Sequence, residues 1–226
     1  MRNLVCVYMI ITGWIGTAAD SFAQYDSVYY TREIFENRID DLRAAHGWGK
    51  LIDPEYELPV LVALSHYPEL NGIPIEFIQA PLGSTMMAQP RTKTIFDGRN
   101  RTYIVFINND SAGTGFLPGD LSFNQLVGVL GHELGHVSYY TGRTALNLIV
   151  DGIGYYSKNY RRDFEVGTDM ITVDHGLGWQ LLDFTDFLMN RASLSTAYEK
   201  KKKTYYLTDQ DLRNELRKRQ QGKESL

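Results

Sequence analysis

The sequence predicts an α+β fold in which a small mixed or antiparallel sheet packs on one central helix and a mainly helical part follows. Two observations predict it. The predicted elements run in the order helix, strands, helices, without an internal repeat. The segment over residues 102–107 is β-branched or aromatic almost throughout, while later segments space their apolar residues as helices do.

Composition limits the classes of protein and site to consider. The 226 residues fit one domain or two small ones, and a net charge of -4 argues against a whole-chain basic surface for nucleic acid. With one Cys, the chain has no internal disulfide framework and no Cys-rich zinc site. A metal site must therefore use carboxylates and some of the five His.

The first 23 residues have the pattern of a secretory signal peptide. Arg2 supplies a positive start, residues 4–15 are largely apolar, and Ser21 and Ala23 are small residues at the positions that signal peptidase requires. The apolar run is shorter than the ~20 residues of a spanning helix, although an uncleaved anchor is the alternative. We expect an exported protein, periplasmic or secreted and bacterial, with one domain over residues 24–226.

The helices and strands follow from periodicity and from capping residues. A helix is predicted over residues 30–46, and strands over 58–64, 73–78 and 102–107. Ser122 and Gln125 predict a capping box, from which a helix runs to about Tyr140. Further helices are predicted over residues 145–156, 161–173, 178–190 and 208–220, the last capped by Thr208 or Asp209.

The chemistry lies in the segment His132-Glu133-Leu134-Gly135-His136. Histidines at i and i+4 lie on one face of a helix, so both imidazoles can reach one Zn²⁺. Glu133 would lie beside the metal as a general base, and Gly135 would let a neighbouring element approach. The alternative is two ordinary histidines on a helix.

Zinc needs a third protein ligand, for which Glu165 is the candidate. Glu165 and Asp169 are one helical turn apart, so both face the same way. Asp169 could accept a hydrogen bond from a ligand histidine and fix its tautomer. A solvated pair of carboxylates is the alternative.

The histidine motif followed by Glu165-x-x-x-Asp169 resembles the gluzincin metallopeptidases, and most of all the CAAX-prenyl-endopeptidase/HtpX family. The resemblance covers a metal-binding core of about residues 122–179 and implies a zincin-like fold and endopeptidase activity. Thr168 stands where that family usually has Ala, and no His-Pro-Pro…Arg element follows. No transmembrane helix is predicted, which implies a soluble exported relative.

These residues predict a zinc endopeptidase that acts on exported or envelope proteins. A water in the open fourth position would lose a proton to Glu133, which would pass it to the leaving amine. His175 is the preferred residue to stabilise the oxyanion. The other candidates are Tyr139, Tyr140, Tyr155 and Tyr156. The strand over residues 102–107 could be the edge that pairs with an extended substrate.

Two other functions remain open. One is a non-catalytic zinc-binding or partner-binding protein that keeps the scaffold, although an intact Glu133 favours catalysis. The other is an accessory factor attached to lipid or cell wall through residues 191–226, which hold ten Lys or Arg and five Asp or Glu. A solvated charged segment is the commoner explanation, so membrane association is left open, as is the oligomeric state.

Overall fold

A computed structural model describes residues 29–111, 116–191 and 196–224. The predicted signal peptide lies outside these residues. The described chain is α+β, as predicted, with a small sheet in its first half and helices through its second half.

The described strands form one mixed four-stranded sheet in the order β1-β2-β4-β3. The strands are β1 (Lys50–Leu51), β2 (Ile75–Ala80), β3 (Met86–Pro90) and β4 (Tyr103–Asn108). β1 and β4 both run parallel to β2, whereas β3 is antiparallel to β4, with Ala88 opposite Val105. β3 is therefore one edge of the sheet, and it packs beside the central helix.

The helices occupy both ends of the described chain. They are α1 (Arg32–Phe35), α2 (Ile39–His46), α3 (Glu57–Leu64), α4 (Phe123–Thr141), α5 (Ala145–Gly154), α6 (Lys158–Asp174), α7 (Gly178–Asp186), α8 (Thr196–Tyr205) and α9 (Asp209–Glu224). A short 3-10 turn separates α1 from α2 within the predicted first helix, and a wider π-helical turn follows α7. Thr208 caps α9, because its hydroxyl accepts a hydrogen bond from the amide of Asp211 at 3.2 Å.

Helix α4 is the central element of the core. Its capping box forms as predicted: the Ser122 hydroxyl accepts from the Gln125 amide, and the Gln125 side chain accepts from the Ser122 amide. Val127, Leu130 and Leu134 are fully buried. α4 packs on α3, α6, α7 and β3, so that every residue over 124–137 is buried.

Three glycines let other helices approach α4 closely. A Cβ atom on Gly128 would lie 2.3 Å from the Gln180 carbonyl oxygen in α7, which leaves no room for a side chain. A Cβ atom on Gly135 would lie 3.1 Å from the Thr168 methyl group in α6, which confirms the predicted close approach. Gly131 lies on the same side of α4 as Gly128 and Gly135. The three glycines thus allow α6 and α7 to pack closely against the part of α4 that carries the histidines.

Two predictions about the sheet were wrong. Residues 58–64 form helix α3 and not a strand, because seven consecutive buried apolar residues also suit a helix that is enclosed on all sides. The predicted edge strand, β4, lies between β2 and β3, so its backbone is already paired on both sides. Among the described residues, no helix is both long and apolar enough to cross a membrane.

Candidate metal centre

Helix α4 places two histidines on one buried face. His132 and His136 are 6% and 7% exposed, and their ring centroids lie 4.7 Å apart at nearly right angles. This is the arrangement that the i, i+4 spacing predicts. The ring of His136 also stacks on Phe164 of α6, 5.1 Å away, which limits its rotation.

Helix α6 brings Glu165 to both histidines. Glu165 Oε2 lies 3.3 Å from Nε2 of His132 and 3.4 Å from Nε2 of His136. The ligand atoms of the three residues lie within 4.8 Å of one another, and all three side chains are buried. His132, His136 and Glu165 could therefore hold one metal ion, which supports the predicted ligand set.

The three atoms that face one another, Nε2 of each histidine and Oε2 of Glu165, are the atoms that could bind a cation. Glu165 Oε2 is buried without a hydrogen bond of good geometry to any described residue, whereas Oε1 accepts a hydrogen bond from the Tyr155 hydroxyl. A metal ion bound between Oε2 and the two histidine Nε2 atoms would satisfy all three buried atoms. Tyr155 fixes the other oxygen, so Glu165 presents a single atom to the cluster.

The electrostatics of the cluster also favour a positive ion. Burial opposes the charged form of His132, yet its contacts with Asp169 and Glu165 raise its pKa to about 10. Burial likewise opposes the Glu165 carboxylate, but His132 and His136 bring the pKa of Glu165 far below its usual range. Without a metal, a proton shared in this cluster supplies the positive charge that the surrounding carboxylates require.

Asp169 orients His132 as predicted. Its Oδ1 lies 2.8 Å from Nδ1 of His132, and since a carboxylate can only accept, Nδ1 donates. Nε2 of His132 is then the nitrogen that faces the cluster and would bind a metal ion. The second oxygen, Oδ2, accepts from the backbone amide of Leu207 at 2.9 Å. Asp169 thus links the histidine to the connection between α8 and α9.

Thr168 contacts His136 as Asp169 contacts His132. Its hydroxyl donates to the Phe164 carbonyl at 3.0 Å, so its oxygen is left to accept from Nδ1 of His136, 3.1 Å away. Both histidines therefore carry the proton on Nδ1 and offer Nε2 to the cluster. In the sequence, Thr168 was only a departure from a family pattern.

Glu133 lies next to the cluster and lines an open cavity. It is 6% exposed, and its Oε2 is buried without a hydrogen bond to any described residue. His132, Asp169 and Met86, at the start of edge strand β3, line the same cavity. An unpartnered carboxylate oxygen beside a cavity can accept a proton from a molecule bound there.

The other side of this cavity is formed by α8 and the segment after it. Lys201, Lys202, Lys203 and Tyr206 line it together with Glu133. The Lys202 Nζ lies 3.9 Å from the ring centroid of Tyr206, whose own ring lies 5.7 Å from that of His132. The lysines that were predicted to belong to a solvated charged segment thus face the candidate site.

Burial, aided by Glu165 and Tyr155, raises the pKa of Tyr206 well above its usual value, so its hydroxyl stays protonated at neutral pH.

The structure does not bring His175 to the cluster. His175 ends α6, ten residues after Glu165, which is about 15 Å along the helix axis. Its ring stacks on Tyr67 at 4.1 Å, and its Nε2 lies 2.9 Å from Glu69 Oε1. These contacts give no support to the predicted oxyanion role.

The four candidate tyrosines have different surroundings. Tyr155 is hydrogen-bonded to Glu165, and Tyr140 stacks on His136 with centroids 6.1 Å apart. Tyr139 is bonded to Asp151, and Tyr156 is 95% exposed. None of these four lines the cavity beside Glu133, whereas Tyr206, which was not predicted from the sequence, does.

Comparisons with known proteins add no relative to this geometry. No known family model matches the chain, and neither a similar curated protein nor a similar solved structure was found. The function of the site is therefore inferred from the chemistry of its residues.

Proposed function

We propose that the protein is a zinc-dependent endopeptidase with a zincin-like active site. The observation that carries this proposal is the position of Glu133, a buried carboxylate with one unpartnered oxygen, beside a cluster of two histidines and Glu165. A centre that served only structure would have no use for such a group at an open cavity.

The donor set suits zinc. Two imidazole nitrogens and one carboxylate oxygen are a common ligand set of catalytic zinc, which keeps a further position open. Ca²⁺ and Mg²⁺ prefer sites made of oxygen atoms, so two buried histidines argue against them. Asp169 and Thr168 supply the outer hydrogen bonds that such histidine ligands usually have.

The chain's own residues then perform proton transfer and orientation. When bound, zinc would polarise the peptide carbonyl and make a water molecule more acidic. Glu133 accepts the proton of the attacking water and delivers it to the nitrogen of the breaking C–N bond, so the products are a carboxylic acid and an amine. Tyr206, which lines the same cavity, is the candidate donor of a hydrogen bond to the oxygen on which negative charge develops.

The edge strand β3 is suited to hold an extended substrate. Among the described strands β3 pairs with β4 alone, and Met86 lines the cavity together with Glu133. An extended peptide could add to its free side by backbone hydrogen bonds. This role falls to β3 and not to β4, which was the predicted edge. The natural substrates would be exported or envelope proteins if residues 1–23 act as a signal peptide.

The test is digestion of an unfolded protein by the parent chain and by Glu133→Gln, with zinc content measured for both. We expect the parent to cleave and the variant to lose at least about 100-fold in rate while it retains zinc. Glu69→Gln, which changes an acidic residue outside the cavity, is the matched control and should cleave like the parent. Equal cleavage by Glu133→Gln would contradict the mechanism. Zinc binding without cleavage by the parent would favour a non-catalytic zinc protein.

A further inference from the structure

Helix α5 exposes an apolar face that no other described element covers. Leu146, Ile149, Val150 and Ile153 are 69%, 40%, 56% and 68% exposed. At 100° per residue they lie within an arc of about 100° on the helix. Tyr156, directly after the helix, is 95% exposed. A helix normally turns such a face to the core, so this arrangement indicates an interaction surface.

The opposite face of α5 is firmly attached to the protein. Leu148 and Asp151 are buried, at 7% and 6% exposed. Asp151 accepts hydrogen bonds from Arg143 and from the hydroxyl groups of Tyr139 and Tyr160. The helix therefore cannot turn its apolar face inward without breaking a buried cluster of polar groups.

The charges around α5 indicate what the face contacts. Residues 143–163 hold four Lys or Arg and two Asp, a net charge of +2 in a chain whose net charge is -4. Asp151 is buried and paired with Arg143, whereas Asp163 is exposed beside Arg162. Lys158 and Arg162, which follow the helix, are exposed.

We infer that α5 docks on the surface of an anionic lipid membrane. A short helix with exposed aliphatic residues, a tyrosine at its end and flanking cations matches an interfacial membrane-binding helix. The cations would approach lipid headgroups while the aliphatic side chains enter the boundary between headgroups and acyl chains. This inference does not depend on the proposed peptidase activity. It does place the candidate metal centre close to the membrane, because Tyr155, at the end of α5, contacts Glu165.

The test uses the full chain and a tryptophan placed on the docking face. Ile153→Trp is compared with Leu51→Trp on β1, where the parent side chain is similarly exposed, at 62%. Vesicles contain either phosphatidylglycerol with phosphatidylcholine or phosphatidylcholine alone, with bromine on the acyl chains to quench nearby tryptophan. Trp14, Trp48 and Trp179 are replaced by Phe in both variants, so the introduced tryptophan gives the whole signal. Any anchoring by residues 1–23 is the same in both variants, so the difference reports on α5.

We expect anionic vesicles to quench Ile153→Trp at least about twofold more than Leu51→Trp. Lys158→Gln with Arg162→Gln, added to Ile153→Trp, should reduce the affinity for these vesicles about tenfold. The matched pair Arg217→Gln with Lys218→Gln on α9 should change the affinity little.

Other outcomes would overturn the inference. Equal quenching of both tryptophans would show that α5 does not enter the bilayer. Equal quenching of Ile153→Trp by anionic and neutral vesicles would remove the role of the cations. A lipid-independent dimer that is lost in Ile149→Asn would assign the face to a second copy of the chain.

Discussion

Thr168 Oγ1 lies 3.1 Å from Nδ1 of His136, and this contact sets the direction of the histidine's other nitrogen. The hydroxyl is itself fixed, because it donates to the Phe164 carbonyl. Thr168 is 2% exposed, so water cannot easily replace it. The corresponding partner of His132 is Asp169. The two neighbouring residues of α6 thus orient both histidines of α4.

Removal of the Thr168 hydroxyl should therefore weaken metal binding. Thr168→Val keeps the shape but leaves Nδ1 of His136 without an acceptor, and we expect zinc affinity to fall by about tenfold. Thr168→Ser keeps the hydroxyl and should bind zinc nearly as the parent does. Competition with a zinc chelator measures both affinities. If the Val variant bound zinc as tightly as the Ser variant, Thr168 would have no positioning role.

Loss of the Tyr206 hydroxyl should slow peptide cleavage without loss of metal. If Tyr206 stabilises the developing oxyanion, Tyr206→Phe should lower kcat about 100-fold and leave zinc content unchanged. Tyr205→Phe removes the neighbouring hydroxyl, which does not line the cavity, and serves as the control. Steady-state kinetics on one peptide measures both. An unchanged kcat in Tyr206→Phe would exclude this residue as the oxyanion donor.

The contact between α4 and α7 should tolerate no side chain at Gly128. A methyl group there would meet the Gln180 carbonyl oxygen at 2.3 Å, and backbone cannot yield as a flexible side chain can. We expect Gly128→Ala to lower the free energy of unfolding by about 3 kcal/mol. Gly152→Ala in α5, where a methyl group would meet nothing within 4 Å, should raise it by about 0.5 kcal/mol. Urea denaturation gives both values, and equal stabilities would contradict the close packing.

The buried Asp151 cluster should make stability depend on acid pH. Burial disfavours the carboxylate, but hydrogen bonds from Arg143 and Tyr160 outweigh it, and the pKa of Asp151 lies below its usual value. Because the unfolded chain binds this proton more readily, the stabilisation is present above the unfolded pKa of about 3.9 and is lost as pH falls through the folded value.

Asp151→Asn should therefore lower the free energy of unfolding by about 2 kcal/mol at pH 7. The difference from the parent should shrink as pH falls below the unfolded pKa of about 3.9, because the unfolded chain then takes up the proton and the folded parent loses the same charge at still lower pH. Asp163→Asn, at an exposed position of α6, is the control and should have little effect. Urea denaturation across this pH range measures the series, and a difference that stayed constant would contradict the assignment.

The sequence predicted the parts of the site that depend on spacing within one helix. His132 and His136, and likewise Glu165 and Asp169, are one turn apart, so helical geometry alone aligns each pair. The contacts of Glu165 and Asp169 with the histidines were also expected, but those of Thr168 and Tyr206 were not. The positions of Thr168 beside His136 and of Tyr206 beside Glu133 depend on how α4, α6 and α8 pack together.

The fold was predictable where one local signal dominated. The capping box of α4 and the β-branched sequence of β4 were identified correctly. Strand β3 was missed, because its residues Met-Met-Ala-Gln-Pro have little strand propensity and its pairing with β4 fixes its conformation. Helix α3 was assigned as a strand because a continuous apolar run has no period.

The central claim is that His132, His136 and Glu165 together bind one zinc ion. The most direct measurement is zinc per chain, by elemental analysis after exchange into excess zinc and removal of free metal. The parent should hold one zinc ion, while Glu165→Gln, which removes the ligand's charge, should lose it at chelator concentrations that leave the parent loaded. A parent chain that stays free of zinc would contradict the claim, as would a Glu165→Gln variant that binds zinc as tightly as the parent.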